Sequence, residues 1–185
     1  MAATRLPEPL AALYSQYPDI ALDLTTGVSR TLYELLIDNQ LDAAFIADAP
    51  KDDRLERIAV YEEALVLISP ANHKLIKKPG DIKDSTVLAF KDGCSYRDRL
   101  VSWFHTADIQ PMRIAEMSSY HAILGGVSAG MGVATVPTPI LSLFPQKNLL
   151  RVHRISGAIG KPVTELIWRK GMLSANIPAL RKCIG

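Results

Sequence analysis

The sequence is short of several features that define protein classes. It has only two cysteines, Cys94 and Cys183, far apart in the chain. They form no disulfide framework, and two thiols fit a reducing, cytoplasmic setting. Aromatic residues make up 6% of the chain, which provides no stacking platform for nucleic-acid bases. Charge of one sign is scarce too: 21 Lys and Arg against 19 Asp and Glu leave +2 with His neutral. So small an excess makes no electrostatic case for nucleic acid or an anionic membrane. No apolar run approaches the ~20 residues that span a bilayer, and the stretch 64–68 is strand-sized. The start of the chain holds Arg5, Glu8 and two prolines where a secretory signal needs an apolar region, so no such signal is expected.

What is present suits an ordinary α/β chain. With 185 residues, 48% apolar and 22% charged, it has the size of one domain or two small lobes and the composition of a folded protein. Leu6, Leu10, Leu13 and Tyr17 have helical spacing, which predicts a helix over 4–16. Ile20, Leu22 and Leu24 alternate with Ala21, Asp23 and Thr25, which predicts a strand. Gly27 breaks it, and Ser29 is the expected N-cap of a helix carrying Leu32, Leu35 and Leu36. The apolar stretch 41–46 follows as a strand. Strand, helix and strand within ~30 residues predict a βαβ unit with parallel pairing.

The stretch 63–68 is a further strand, and Pro70 with the polar run behind it marks a lobe boundary. Strands are expected at 86–90, 113–117 and 133–136, and helices at 95–107 and from Ser119 to Gly130. The tail reads as two strands, 149–155 and 163–169, then a helix with Ile177, Leu180 and Ile184. Two β/α series of similar size suggest two lobes, and such folds hold ligands at the C-terminal ends of their strands.

Gly93-Cys94-Ser95-Tyr96-Arg97 lies at a strand-to-helix turn. Free N–H groups and the positive end of the helix dipole suit a carboxylate there, with Ser95 or Cys94 as a side-chain donor and Arg97 as a charged one. A plain N-cap with Arg97 in a structural ion pair explains the same residues. Cys94 is also a candidate reactive thiol, because a helix start lowers a thiol pKa. Gly130-Met131-Gly132 lacks the third glycine of a dinucleotide fingerprint and opens a strand, so tight helix-to-strand packing is expected. His73, His105, His121 and His153 show no metal spacing. Asp52-Asp53 and Glu62-Glu63 are adjacent pairs whose members point to opposite faces of a strand, so neither is an acid/base couple. Lys74, Lys77 and Lys78 read as a solvated loop. No cofactor, metal or catalytic residue is expected.

A series of fragments carries a resemblance. They are Leu6-Pro7, Tyr17-Pro18-Asp19-Ile20, Gly27-Val28-Ser29, Leu41-Asp42-Ala43-Ala44-Phe45, and Leu67-Ile68-Ser69-Pro70 with His73-Lys74-Leu75. Gly93 to Arg97, Trp103, Glu116 with Ser119, the run from Val127 to Ala134, and Val136-Pro137 continue it. In this order and spacing they resemble the effector-binding domain of LysR-type transcriptional regulators, from residue 4 to about 184. The resemblance implies a type 2 periplasmic-binding-protein-like α/β fold, with two Rossmann-like lobes joined by two crossover strands. Lobe I would be 1–68 plus 162–185, and lobe II 69–161.

It further implies a non-enzymatic module that senses a small anionic metabolite in the inter-lobe cleft. The implied partners are the effector and a second copy, as a homodimer or higher homo-oligomer. The helices after Ser29 and Ser119 are the interface candidates. Family members bind DNA through an N-terminal winged helix-turn-helix that this chain lacks, and no membrane is involved. The resemblance strengthens Cys94 and Ser95 as ligand contacts, with Gly93, Tyr96 and Arg97 beside them. Thr26, Val28 and Ser29 form the equivalent turn of lobe I. Ser119, Pro137 and Thr138 are candidates by position, and Thr4 at the start of the first helix. Members also carry a strand before that helix. Here Met1 directly precedes it, so the first strand of lobe I is expected to be missing and the lobe distorted or completed by a partner. The alternative on the same fold is a periplasmic solute-binding protein of a transporter. The absent signal and the regulator-like motifs weigh against it.

Overall fold

The computed structural model describes residues 4–155, 157, 160–172 and 176–184. The chain divides into two compact units, Met1–Tyr61 with Val163–Gly185, and Glu62–Pro162.

In unit 1, helix α1 (Pro7–Gln16) is followed by α2 (Ser29–Ile37) and strands β1 (Ala43–Ala47) and β2 (Leu55–Glu62). Strand β8 (Val163–Arg169) and helix α6 (Asn176–Ile184) return late in the chain. The sheet order is β1-β8-β2, with β1 antiparallel to β8. The pleat sends alternate side chains to opposite faces. Ala44, Ile46 and Ile167 pack with Leu36 and Leu32 of α2, while Ala43, Phe45, Leu166 and Trp168 pack with Ile177 and Leu180 of α6. Helix α2 ends in a tight C-terminal motif. Asn39 takes a positive φ of 62°, the Gln40 N–H donates to the Leu35 carbonyl, and Arg169 donates to the Leu36 and Leu41 carbonyls.

Two expectations fail in this unit. Residues 20–24 form no strand, and the parallel βαβ unit does not form. The segment 21–27 has no regular structure, and among the described residues no backbone hydrogen bond joins it to another strand. Leu24 is 55% exposed, so the alternating pattern has no partner surface to bury against. A strand exists only where a neighbour takes its N–H and C=O groups. Strand β1 is an edge of its sheet. The N-cap of α2 is Val28, in extended conformation, and Ser29 is the first helical residue.

Unit 2 contains β3 (Leu65–Pro70), β4 (Thr86–Ala89), β5 (Arg113–Glu116), β6 (Ala134–Pro137) and β7 (Leu150–Arg154). Helices α3 (Ser95–His105) and α4 (Tyr120–Ser128) match their expected places, and a short α5 (Thr138–Ser142) follows directly on β6. Strand β3 pairs antiparallel with β6 and β7, and β4 pairs parallel with β5. A parallel bridge from Val87 to Val133 links β4 to the start of β6. Successive residues split between two cores. Ile68, Leu88, Ala134 and Val136 pack with α4 and Ile140, while Leu67, Val87, Ala89 and Val133 pack with Leu100 and Phe104 of α3.

Candidate functional site

The parallel relation of β4, β5 and β6 puts their C-terminal ends at one edge of unit 2. The turns that leave this edge are 90–95, 117–119 and 137–138. These turns carry Gly93, Cys94, Ser95, Ser119, Pro137 and Thr138, so three candidate segments separated by about 20 residues or more in sequence meet at one edge. Tyr96 and Arg97 follow in the first turn of α3.

After β4 the chain must reverse into α3. Gly93 makes the turn with φ +85°, a region that suits glycine because a Cβ would crowd the backbone. Cys94 is the N-cap of α3 in extended conformation, and Ser95 is buried at its first position. Burial pushes the Cys94 thiol above its ordinary pKa, and the nearby backbone N–H groups of Arg97 and Tyr96 offset only part of this. The reactive thiolate expected of a helix start is therefore disfavoured here. Arg97 donates to Glu116 Oε1 at 2.7 Å and to the Phe90 carbonyl at 3.2 Å. Its guanidinium thus ties the end of β4 to the end of β5.

The start of α4 is built alongside. Ser119 Oγ accepts from the Ala122 N–H at 3.1 Å, so Ser119 is a true N-cap. Tyr120 meets Phe90 edge to face, with ring centroids 4.9 Å apart. Burial pushes the Tyr120 phenol well above its ordinary value, with smaller contributions from Tyr96, Cys94 and Glu63. At the third turn, Thr138 donates twice to the Ala64 carbonyl, from its N–H at 2.8 Å and from Oγ1 at 2.9 Å. Pro137 is buried and leads into α5.

Two residues of this edge were not among the expected ligand contacts, Glu63, weighed only as one of an adjacent acidic pair, and Tyr120. Glu63 is 2% exposed. Its signal was legible: Glu63, Leu65 and Leu67 share the parity of one face, and that face is buried. Tyr120 carried no such signal, because a lone aromatic at a helix start reads equally well as core. In unit 1, Thr26 is exposed, Val28 and Ser29 are half-buried, and Thr4 lies half-buried in the turn before α1.

One other pair looks chemical. Ser69 Oγ lies 2.8 Å from His153 Nε2, and both residues are buried. A backbone N–H can only donate, and the Ile76 N–H reaches His153 Nδ1 at 3.1 Å. Nδ1 is therefore the bare nitrogen and Nε2 carries the proton, which it donates to Ser69 Oγ. A general base needs the opposite tautomer toward the hydroxyl. The pair is a structural bridge. Among the described residues no group of three His, Cys, Asp or Glu is placed to hold a metal, and no helix is long and apolar enough to cross a membrane.

Comparison with known proteins adds a family and a fold. The LysR substrate binding domain model matches residues 1–185. The HTH-type transcriptional regulator GltR of Bacillus subtilis is 32% identical over 172 residues, which is 93% of this chain and 58% of that protein. The HTH-type transcriptional regulator SoxR of an Arthrobacter species is 33% identical over 180 residues, 97% of this chain and 61% of that protein. YusT of Bacillus subtilis, named as a regulator of the same type, is 32% identical over 91% of this chain and 56% of its own. The chain thus spans between half and two thirds of these relatives. Among solved structures, the effector binding domain of a BenM variant superposes with TM-score 0.80 at 21% identity, over 97% of this chain and 86% of its own. A full-length OxyR variant from Pseudomonas aeruginosa gives TM-score 0.83 at 20% identity, over 100% of this chain and 66% of its own. The fold is the type 2 periplasmic-binding-protein-like α/β fold.

Proposed function

Because this chain belongs to the LysR substrate binding domain family, we propose that it is the sensory part of a transcriptional regulator and holds a small anionic metabolite without transforming it. The observation that carries this reading is the convergence of the turns 90–95, 117–119 and 137–138 at one sheet edge. Helix starts present N–H groups, and the edge adds Ser95, Thr138 and the Arg97 guanidinium to them. Thr26, Val28 and Ser29 of unit 1 are proposed as further contacts, and Thr4 as a peripheral one. A ligand acts as a signal only through different affinities for different conformations. A reaction is not part of the proposal, since the one Ser–His pair holds the wrong tautomer for a base. The setting proposed is the cytoplasm, and DNA contact is not among the roles assigned to residues 1–185.

A thermal-shift screen of carboxylates and amino acids tests the reading. A true effector at about a hundred times its Kd adds about 2.7 kcal/mol of stability, which raises the melting temperature by several degrees. Ser95→Ala is expected to remove most of that shift, read as the difference between the melts of the same variant with and without ligand. A hit whose shift is untouched by changes at Ser95, Thr138 and Arg97 would place the ligand elsewhere.

The same family membership supports a homodimer built on α2 and α4. The outward face of α4 is low and flat, with Ala122, Gly125 and Ala129 exposed beside His121, which allows close approach of a partner helix. Sedimentation of the chain at micromolar concentration should give twice the 20.3 kDa mass. A strict monomer refutes this part.

A further inference from the structure

The segment between β3 and β4 hangs on one imidazole. His153 in β7 is 2% exposed. Its Nδ1 accepts from the Ile76 N–H at 3.1 Å, and its Nε2 donates to Ser69 Oγ at 2.8 Å. Ser69 passes the chain on, donating to the Pro70 carbonyl at 3.1 Å. Both ends of segment 70–76 are thus tied to the same ring. We infer that His153 is a proton-operated latch: taking up a proton at Nδ1 releases Ile76, at the end of segment 70–76, from the sheet.

The reason is the count of donors and acceptors. Neutral His153 uses its only acceptor nitrogen on Ile76 and its only N–H on Ser69. A second proton must go to Nδ1, where it faces the Ile76 N–H. Two donors then point at each other in a buried place, so the bond breaks and an unsatisfied charge is left. Among the described residues, the groups that act on the ring are His73, whose ring meets it edge to face at 6.4 Å, and Arg151 two residues along β7, and both oppose that charge. Arg151 donates to the His73 carbonyl at 2.7 Å, on the same segment. The segment brings Lys74, Lys77 and Lys78, and β7 also carries Arg154. The acidic side chain of this region, Asp81, accepts from the Lys77 and Lys78 backbone N–H groups. Burial, with His73 and Arg151 adding to it, accordingly holds His153 below its ordinary 6.5.

The direction with pH follows. The unfolded or opened segment takes a proton near 6.5, and the closed one only at lower pH. The latch is fully closed above 6.5 and loosens as pH falls from there through the closed-state value. Opening exposes Ile76, which is 4% exposed and packs on Leu67, Ile82 and Phe104.

The test is hydrogen exchange at the Ile76 amide of the full chain, corrected for the intrinsic pH dependence of exchange, beside an NMR titration of His153. Protection of Ile76 should fall by up to about tenfold per pH unit from 6.5 down to the closed-state value and level off below it, where the His153 imidazole itself titrates. His153→Asn keeps an acceptor for Ile76 that takes no proton, so its protection should be flat from pH 7.5 to 4.5. His73→Asn should leave the drop in place. Protection in the wild-type chain that ignores His153 titration overturns the latch, whether or not the Asn variant folds. An equal drop in His153→Asn overturns it as well.

Discussion

Gly132→Ala is expected to destabilise unit 2 by more than about 4 kcal/mol, enough to leave the variant largely unfolded at 37 °C. A Cβ built on Gly132 would lie 2.1 Å from the Thr86 carbonyl oxygen and 2.9 Å from its carbon. Those atoms are backbone, so no side-chain rotation relieves the overlap. They cannot retreat freely either. The Val133 N–H donates to that same Thr86 oxygen at 2.9 Å, and the Leu88 N–H donates to the Val133 carbonyl at 2.8 Å. These two bonds are the bridge that links β4 to the start of β6. Moving Thr86 away breaks both and opens the core around Val87 and Val133, each 1% exposed.

Two neighbouring glycines act as controls. Gly130 has φ +85° and open space around it, so Gly130→Ala should cost only about 1–2 kcal/mol of backbone strain. Gly125 sits exposed in α4 with nothing within 4 Å, so Gly125→Ala should gain about 0.5–1 kcal/mol. Urea denaturation of the three variants checks the order. A Gly132→Ala protein within about 2 kcal/mol of wild type would contradict the geometry.

Arg169→Met should be the most damaging conservative change in unit 1, at about 2–4 kcal/mol. Arg169 Nη1 donates to the Leu36 carbonyl at 2.5 Å and to the Leu41 carbonyl at 2.6 Å. Leu36 is in the last turn of α2, where carbonyls lack helical partners and the dipole end is negative. A cation there meets both needs. Methionine keeps the apolar stem and removes the charged donor from both carbonyls, leaving Leu36 with weaker backbone donors such as the Asn39 N–H at 3.3 Å. The thermal midpoint should fall by about 5–12 °C. Arg169→Lys should recover part of the loss, since a point charge cannot reproduce the planar fork.

Much of the fold was legible locally. The apolar stretch 41–46, the strand read at 163–169, the spacing of Leu100 and Phe104, and Ser119 before Tyr120 each predicted the element found. These signals depend on a few neighbouring residues and on the period of one element. The glycines at 130 and 132 pointed to helix-to-strand packing, whereas Gly132 closes on the Thr86 backbone of β4 and Gly130 has open space around it. The stretch 20–24 shows where local signals end. Its pattern is as strand-like as that of β1, yet it has no ladder, because hydrogen-bond partners come from elsewhere in the chain. The short α5 was hidden behind Pro137 and Pro139, which read as stops, although proline is well tolerated in a first helical turn.

The candidate site divides the same way. Turn chemistry marked the segment 93–97, and position in the chain marked Ser119, Pro137 and Thr138. That Cys94 is no activated thiol depended on burial, and that Arg97 is held by Glu116 depended on β5 lying next to β4. His153 read as an unremarkable histidine until its neighbours were known.

Taken alone, then, the order of residues determined which stretches are helical, which faces are apolar, and to which family the pattern is similar, because these depend on short-range periodicity and turn chemistry. Only the three-dimensional packing decided which strands pair, which turns share an edge, how a buried imidazole is protonated, and which glycine is irreplaceable. Each of those is set by atoms far apart in sequence and within a few ångströms in space.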